Sequence, residues 1–241
     1  VQAWDKIPDT AKDADGAYYA DYTGIMSVGW NADKYGDISS LDDLLDPKFA
    51  GTVALNGKPA EAGAAFNGYL MANQLAGGDI NNLQPGIDYF KKLKEAGNLT
   101  TVDVTNGTID SGQTGVVFDW TYNQASYKKE LKDKGVNWKY KTFPKAQVVS
   151  YYNQAINKDA PHPAAARLWE EYLYTADAQN LWFKGGANPV LLDSMKEDGT
   201  VDQVTLKDAI TIEGEPVSYT NDDSTRITEW LQNNWDKTIG N

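Results

Sequence analysis

Cysteine is absent from this chain, which excludes a disulfide framework and any thiolate nucleophile or thiolate-bound metal. The single histidine, His162, excludes a multi-histidine metal site and leaves one imidazole for acid–base work. No apolar run approaches the ~18 residues that a membrane span needs. Basic residues are in deficit: 22 Lys and Arg stand against 34 Asp and Glu, a net charge of −12. That balance opposes the phosphate neutralisation on which nucleic-acid binding depends, and it opposes an anionic membrane surface. The opening VQAWDKIPDTAKDADG has neither the basic start nor the apolar stretch of a secretory leader. A cleaved precursor, a trimmed chain and a cytosolic protein all begin this way.

Catalytic signatures are missing as well. The chain has no Walker A loop, no H-E-x-x-H, no G-x-S-x-G elbow and no G-x-G-x-x-G. Asp13-Ala14-Asp15-Gly16 has part of a calcium-loop pattern but not the preceding ligand or the closing Glu, so it reads as a turn. Paired carboxylates for glycoside hydrolysis are defined by spatial separation. Among 34 acidic residues some pair always exists, so an enzyme reading rests on almost nothing.

What is present is a soluble α/β pattern with a skew toward amphipathic aromatics. The 8 Trp and 14 Tyr far outnumber the 6 Phe, and Trp and Tyr suit surfaces where a polar ligand is stacked and hydrogen-bonded. Residues 18–30 read as a strand. Ser39-Ser40 caps a short helix, LDDLLD, closed by Pro47. Strands are expected at 52–55, 100–104, 115–118, 137–143 and 148–156. Helices are expected at 59–76, 85–96 and 121–135, each closed by glycine. Strand–helix alternation predicts a largely parallel sheet. Beyond residue 160 the pattern turns helical, with helices at 162–174, 176–184 and 223–236.

Three places carry candidate binding chemistry. Asn56 to Ala62 lies where a strand ends and a helix begins, the usual ligand position in open α/β sheets, and puts Glu61 in the first turn of that helix. Phe118 to Tyr122 is a second strand end, where Trp120 and Tyr122 flank Asp119. A carboxylate between aromatics suits a small cationic or hydroxylated ligand, although Asp119 also fits a plain helix N-cap. Tyr151-Tyr152 is the third. Neighbours on a strand face opposite ways, so one of the two at most points into a given cleft.

The run NKDAPHPAAARLWEEYLYTADAQNLWFKGGANPV resembles the late signature of bacterial ABC-transporter substrate-binding proteins of the two-lobed, type II kind. Its matching pieces are Ala155 to Pro163, the Thr175 to Gln179 helix start and the Asn188 to Val190 loop. SLDDLLDPKFAGTVAL and YYADYTGIMSVGWN resemble two earlier passages of the same family, in the same order. The resemblance implies an α/β type II periplasmic-binding-protein fold, two lobes joined by crossing strands. It implies a remnant of the first lobe with the first crossing at 1–24 and a second α/β lobe at 25–147. Residues 148–241 would form the second crossing strand and a helical part packed on the first lobe and hinge. Because only seventeen residues precede Tyr18, much of the first lobe is expected to be missing, with self-association through the exposed 162–184 helices.

The function so implied is solute capture for an ABC importer, with a membrane permease as partner. The chain would be exported, periplasmic or lipid-anchored on the outer face of the cell membrane, without enzyme activity, cofactor or metal. Family members that bind anions present Ser/Thr-Gly where this chain has Ala60-Glu61-Ala62-Gly63, and members that bind ferric ion use adjacent tyrosines where it has Asp119-Trp120-Thr121-Tyr122. The likeness to the spermidine/putrescine branch implies an organic cation such as a polyamine. The ligand-binding set is then Glu61, Asp119, Trp120, Tyr122, Tyr151 and Tyr152. A sugar or an amino-phosphonate is the alternative ligand, and a carboxylate-dependent carbohydrate-active enzyme is the alternative of a different class.

Overall fold

The computed structural model describes residues 1–213 and 215–240. In chain order the first elements are β1 (Tyr19–Asn31), α1 (Ala32–Tyr35), β2 (Val53–Leu55), α2 (Gly63–Leu75), α3 (Gln84–Glu95), α4 (Asn106–Asp110), β3 (Val116–Trp120) and α5 (Thr121–Lys132). There follow β4 (Trp138–Lys141), β5 (Val149–Gln154), α6 (Pro163–Leu173), α7 (Ala176–Lys184), β6 (Asn188–Pro189), α8 (Leu192–Glu197), α9 (Gln203–Asp208) and α10 (Asn221–Thr238). The chain divides into two compact units. The smaller holds Val1–Ile25 and Ser150–Thr211, and the larger holds Met26–Val149 and the chain from Ile212 onward.

The sheet of the larger unit has the order β2-β3-β1-β4. Within this order β2 and β3 run parallel, with Val53 opposite Val116. Strand β1 runs antiparallel to β3, with Ser27 opposite Asp119, and antiparallel to β4, with Gly29 opposite Tyr140. The largely parallel sheet read from strand–helix alternation is therefore corrected. Alternation orders the layers but leaves open that β1 inserts between β3 and β4 against their direction. The expected strand at 100–104 is also absent. Leu99 makes a single bridge to Val53, the Thr100 N–H reaches the Val53 carbonyl at 2.9 Å, and the chain then leaves the sheet with Val102 exposed.

Helix α2 is buried on nearly every side from Ala65 to Asn73. It lies so near the sheet that a Cβ on Gly68 would stand 2.9 Å from Leu55 Cδ2 and 3.3 Å from Phe118 Cβ. Glycine permits this approach because it carries no side chain. Helix α5 is fixed by Gln124, whose amide donates to the Val117 carbonyl at 3.0 Å and accepts from the Trp138 indole at 2.9 Å. Both halves of this buried amide are thus satisfied, and the N-terminus of α5 is pinned beside the end of β3.

The sequence reading placed all of 148–241 together. In the structure the last helix belongs to the larger unit. Ile227, Leu231 and Trp235 recur at four-residue spacing and form one apolar stripe, buried against α2 and α3. The Trp235 ring lies 5.2 Å from Phe90 and 6.2 Å from Tyr69. The division between units falls at 25/26 and 149/150.

In the smaller unit the first part of β1 pairs with β6, Tyr22 opposite Pro189 and Thr23 opposite Asn188. Ile7, Tyr19, Leu173, Phe183, Leu192 and Met195 form its core. Thr175 caps α7 by accepting the Ala178 N–H, and Gln179 one turn later is fully buried. The Gln179 amide donates to the carbonyls of Leu173 and Asp21, and its oxygen accepts the Leu191 N–H at 3.2 Å. That explains the T-x-x-x-Q spacing: one residue starts the helix and the other ties it to β1 and to the loop after β6. Helices α6 and α7 leave Leu168, Trp169, Tyr172 and Leu181 exposed. No described helix is long and apolar enough to cross a membrane.

Leu231→Ala should lower the unfolding free energy by about 2–5 kcal/mol, the range for truncating a fully buried leucine. Urea titration followed by tryptophan fluorescence measures this. A loss below about 1 kcal/mol would mean that α10 does not complete the core of the larger unit.

Candidate functional site

In the larger unit Asp119 and Trp120 close β3 and Tyr122 follows in the first turn of α5, whereas Glu61 lies apart from them in the chain. Asp119 is fully buried. Its Oδ1 accepts the Trp120 N–H at 2.8 Å and the Asn123 amide at 2.9 Å. Its Oδ2 accepts the Asn56 amide and the Tyr127 hydroxyl, both at 2.9 Å. Burial pushes the carboxyl above its ordinary range, and the four donors draw it back. The N-cap of α5 is Trp120, so Asp119 is not the helix cap that the sequence also allowed. It is the knot between β3, the loop after β2 and the first two turns of α5.

Trp120 and Tyr122 follow at once, their rings nearly parallel at 17° with centroids 6.3 Å apart. Trp120 is buried and Tyr122 half-buried. Glu61 is placed differently. Helix α2 begins at Gly63, not at Pro59, and Glu61 lies in a separate turn whose Glu61 and Ala62 N–H groups return to the Lys58 carbonyl. The exposed Glu61 lines a small cavity of about 150 Å³ with Lys58, Leu231 and Trp235, and it is not among the groups bonded to Asp119. The α2 N-terminus itself carries Gly63, Ala64 and Ala65, with Ala62 as a cap that makes no side-chain bond. It offers no hydroxyl to an anion.

In the smaller unit Tyr151 and Tyr152 separate as strand alternation requires. Tyr151 packs against the core cluster, and burial raises its hydroxyl pKa. Tyr152 is 40% exposed and stacks on Tyr22 at 4.8 Å and 10°, and Tyr22 stacks in turn on Trp182 at 4.3 Å and 26°. Neither Tyr22 nor Trp182 was singled out from the sequence. Tyr22 sat in an alternating strand, and Trp182 looked like one more apolar helix residue.

Beside this stack lies a second buried carboxylate. Asp21 Oδ2 accepts the Gln154 amide at 2.8 Å, while Oδ1 has no protein partner. Burial pushes Asp21 up to about 6, and the Gln154 contact opposes the rise. Among the described residues no three His, Cys, Asp or Glu gather closely enough to hold a metal ion.

A family model described as bacterial extracellular solute-binding protein matches residues 1–209. Solved structures share the fold. A Bordetella parapertussis chain described as an extracellular solute-binding protein superposes with a TM-score of 0.75 at 14% identity, over 99% of this chain and 74% of that one. The Streptococcus pneumoniae spermidine/putrescine ABC transporter substrate-binding protein PotD gives 0.67 at 13% identity, over 97% and 74%. Iron-bound HitA from Pseudomonas aeruginosa gives 0.66 at 19% identity, over 96% and 74%. At such identities the likeness establishes the fold, the two-lobed solute-binding kind implied by the sequence signature. No curated protein matches this chain in sequence.

The raised Asp21 pKa has a consequence for stability. A carboxyl at 3.8 when unfolded and about 6 when folded takes up a proton on folding between those values. Its contribution to stability is full below 3.8 and is lost as pH rises through about 6. Asp21→Asn should therefore stabilise the protein at pH 7.5 by up to about 3 kcal/mol and change little near pH 3.5. Urea unfolding at the two pH values reads the difference. An unchanged pH slope in the variant would remove Asp21 as its source.

Proposed function

This chain belongs to the bacterial extracellular solute-binding proteins, and from that premise we propose that it captures a small organic cation such as a polyamine. Its role is that of the substrate-binding component of an ABC transporter, which binds a small solute and works with a membrane permease. On this reading it acts outside the cytoplasm, on the outer face of the cell membrane, and changes no covalent bond in its cargo.

The observation that carries the cation reading is the three-ring stack Tyr152–Tyr22–Trp182 with its exposed outer ring. Aromatic faces attract ammonium groups and pack against methylene chains. In the larger unit, taken by itself, Trp120 and Tyr122 form a parallel aromatic pair. The acidic balance of the whole chain favours the approach of a cation. The α2 start, without hydroxyls and preceded by Glu61, disfavours a phosphate or phosphonate. A sugar is the second reading, because its apolar faces also stack on tyrosine and its hydroxyls pair with amide side chains.

A thermal-shift screen of putrescine, spermidine, hexoses, an aminoalkyl phosphonate and ferric citrate tests the reading. The polyamines should give the largest rise in Tm, and Tyr152→Ala should weaken their binding roughly tenfold, as loss of a cation–π contact does. A larger rise with a hexose, the phosphonate or ferric citrate would contradict the cation reading.

A further inference from the structure

The cation reading leaves open which atoms of the larger unit meet the solute. Asp119 looks like the obvious counter-ion, but its surroundings deny it that part. Each carboxylate oxygen already accepts two hydrogen bonds, from the Trp120 N–H and Asn123 on one side and from Asn56 and Tyr127 on the other. The group is fully buried, and its four acceptor positions are filled at 2.8–2.9 Å. An ammonium group could reach it only by evicting a donor that is already well placed.

The two amides matter for what they present on their other side. A carboxylate only accepts, so Asn56 and Asn123 must each turn the NH2 group toward Asp119. The carbonyl oxygen on the same carbon is then directed away from it. Both residues are only half-buried, and they come from different elements, the loop after β2 and the first turn of α5. The Gln124 bonds to Val117 and Trp138 hold that turn in place. Ser27 secures the base of the knot, its hydroxyl donating to the Asp119 carbonyl at 2.7 Å.

We propose that Asn56 Oδ1 and Asn123 Oδ1 are the specificity-determining acceptors for the solute in the larger unit, and that Asp119 is the positioning residue that sets their direction. The inference rests on the solute-capture reading and deepens it: the site selects for N–H or O–H donors on the solute, not for positive charge alone. A primary diamine carries such donors at its ends. A permethylated diamine of the same length carries the same charge and none of the donors.

Calorimetry with putrescine, its N-permethylated analogue and sorbitol separates the possibilities. The unaltered chain should bind putrescine roughly 10- to 100-fold more tightly than the permethylated form, the ratio expected of one or two hydrogen bonds to a charged group. Asn56→Ala and Asn123→Ala should each collapse that ratio by weakening putrescine alone. Asp119→Asn, which keeps one acceptor oxygen and so releases one of the two amides, should lower the ratio in the same direction, with the permethylated diamine changed less than about threefold. A purely structural role for Asp119 would weaken both diamines alike. If Asp119→Asn does not fold, the two asparagine variants at the edge of the knot decide the matter.

Equal affinity of the unaltered chain for both diamines, or a ratio untouched by the asparagine variants, overturns the inference while leaving the cation reading intact. Binding of sorbitol in place of the diamines, with the same dependence on Asn56 and Asn123, overturns the cation reading and supports the acceptor pair. No binding of any donor-bearing probe overturns both.

Discussion

A carboxylate taken out of water must have its lone pairs filled by the protein, and around Asp119 this requirement organises the end of the sheet. Four donors meet there, from the loop after β2, from the residue that starts α5 and from two positions along α5. An unpaired buried charge costs several kcal/mol, so none of the four is free to drift. The knot fixes the direction of two asparagine amides and the start of the helix that carries Tyr122. It also rests on β1 through Ser27, which makes the central strand part of the same arrangement.

The smaller unit solves a similar problem with a neutral group and leaves another unsolved. Gln179 satisfies three backbone groups and ties α7 to β1. Asp21, whose own carbonyl Gln179 holds, keeps one carboxylate oxygen without a protein partner. Asp119 and Asp21 therefore differ in role. Asp119 is a saturated anchor, while Asp21 is a group whose burial is relieved by taking up a proton near pH 6. Its neighbours of like tendency, Tyr22 and Tyr174, have their own hydroxyl pKa values raised, each with Asp21 among the causes.

Much of the fold was legible because its signals are local. Apolar periodicity with glycine and proline punctuation placed α3, α5, α6, α7 and α10 to within a few residues, and Thr175 with Gln179 marked α7 through a spacing whose structural reason is now plain. Strand direction was not legible, because pairing joins residues far apart and alternation does not encode that β1 lies between β3 and β4. The same distance hid half of the candidate site. Asp119 stood out beside Trp120 and Tyr122, but its partner Asn56 lies three helices away in the chain. Glu61 was misplaced because Pro59 reads as a helix start, whereas the helix waits until Gly63. Tyr22 and Trp182 became visible only when β1 and α7 were brought side by side.

A crystal structure of the chain with putrescine bound tests the acceptor role of Asn56 and Asn123 most directly. An ammonium nitrogen is expected about 2.7–3.2 Å, ordinary hydrogen-bond distance, from the amide oxygens of Asn56 and Asn123, with Asp119 keeping its four donors. An ammonium bonded to the Asp119 carboxylate itself, with Asn56 or Asn123 displaced from it, would contradict the account.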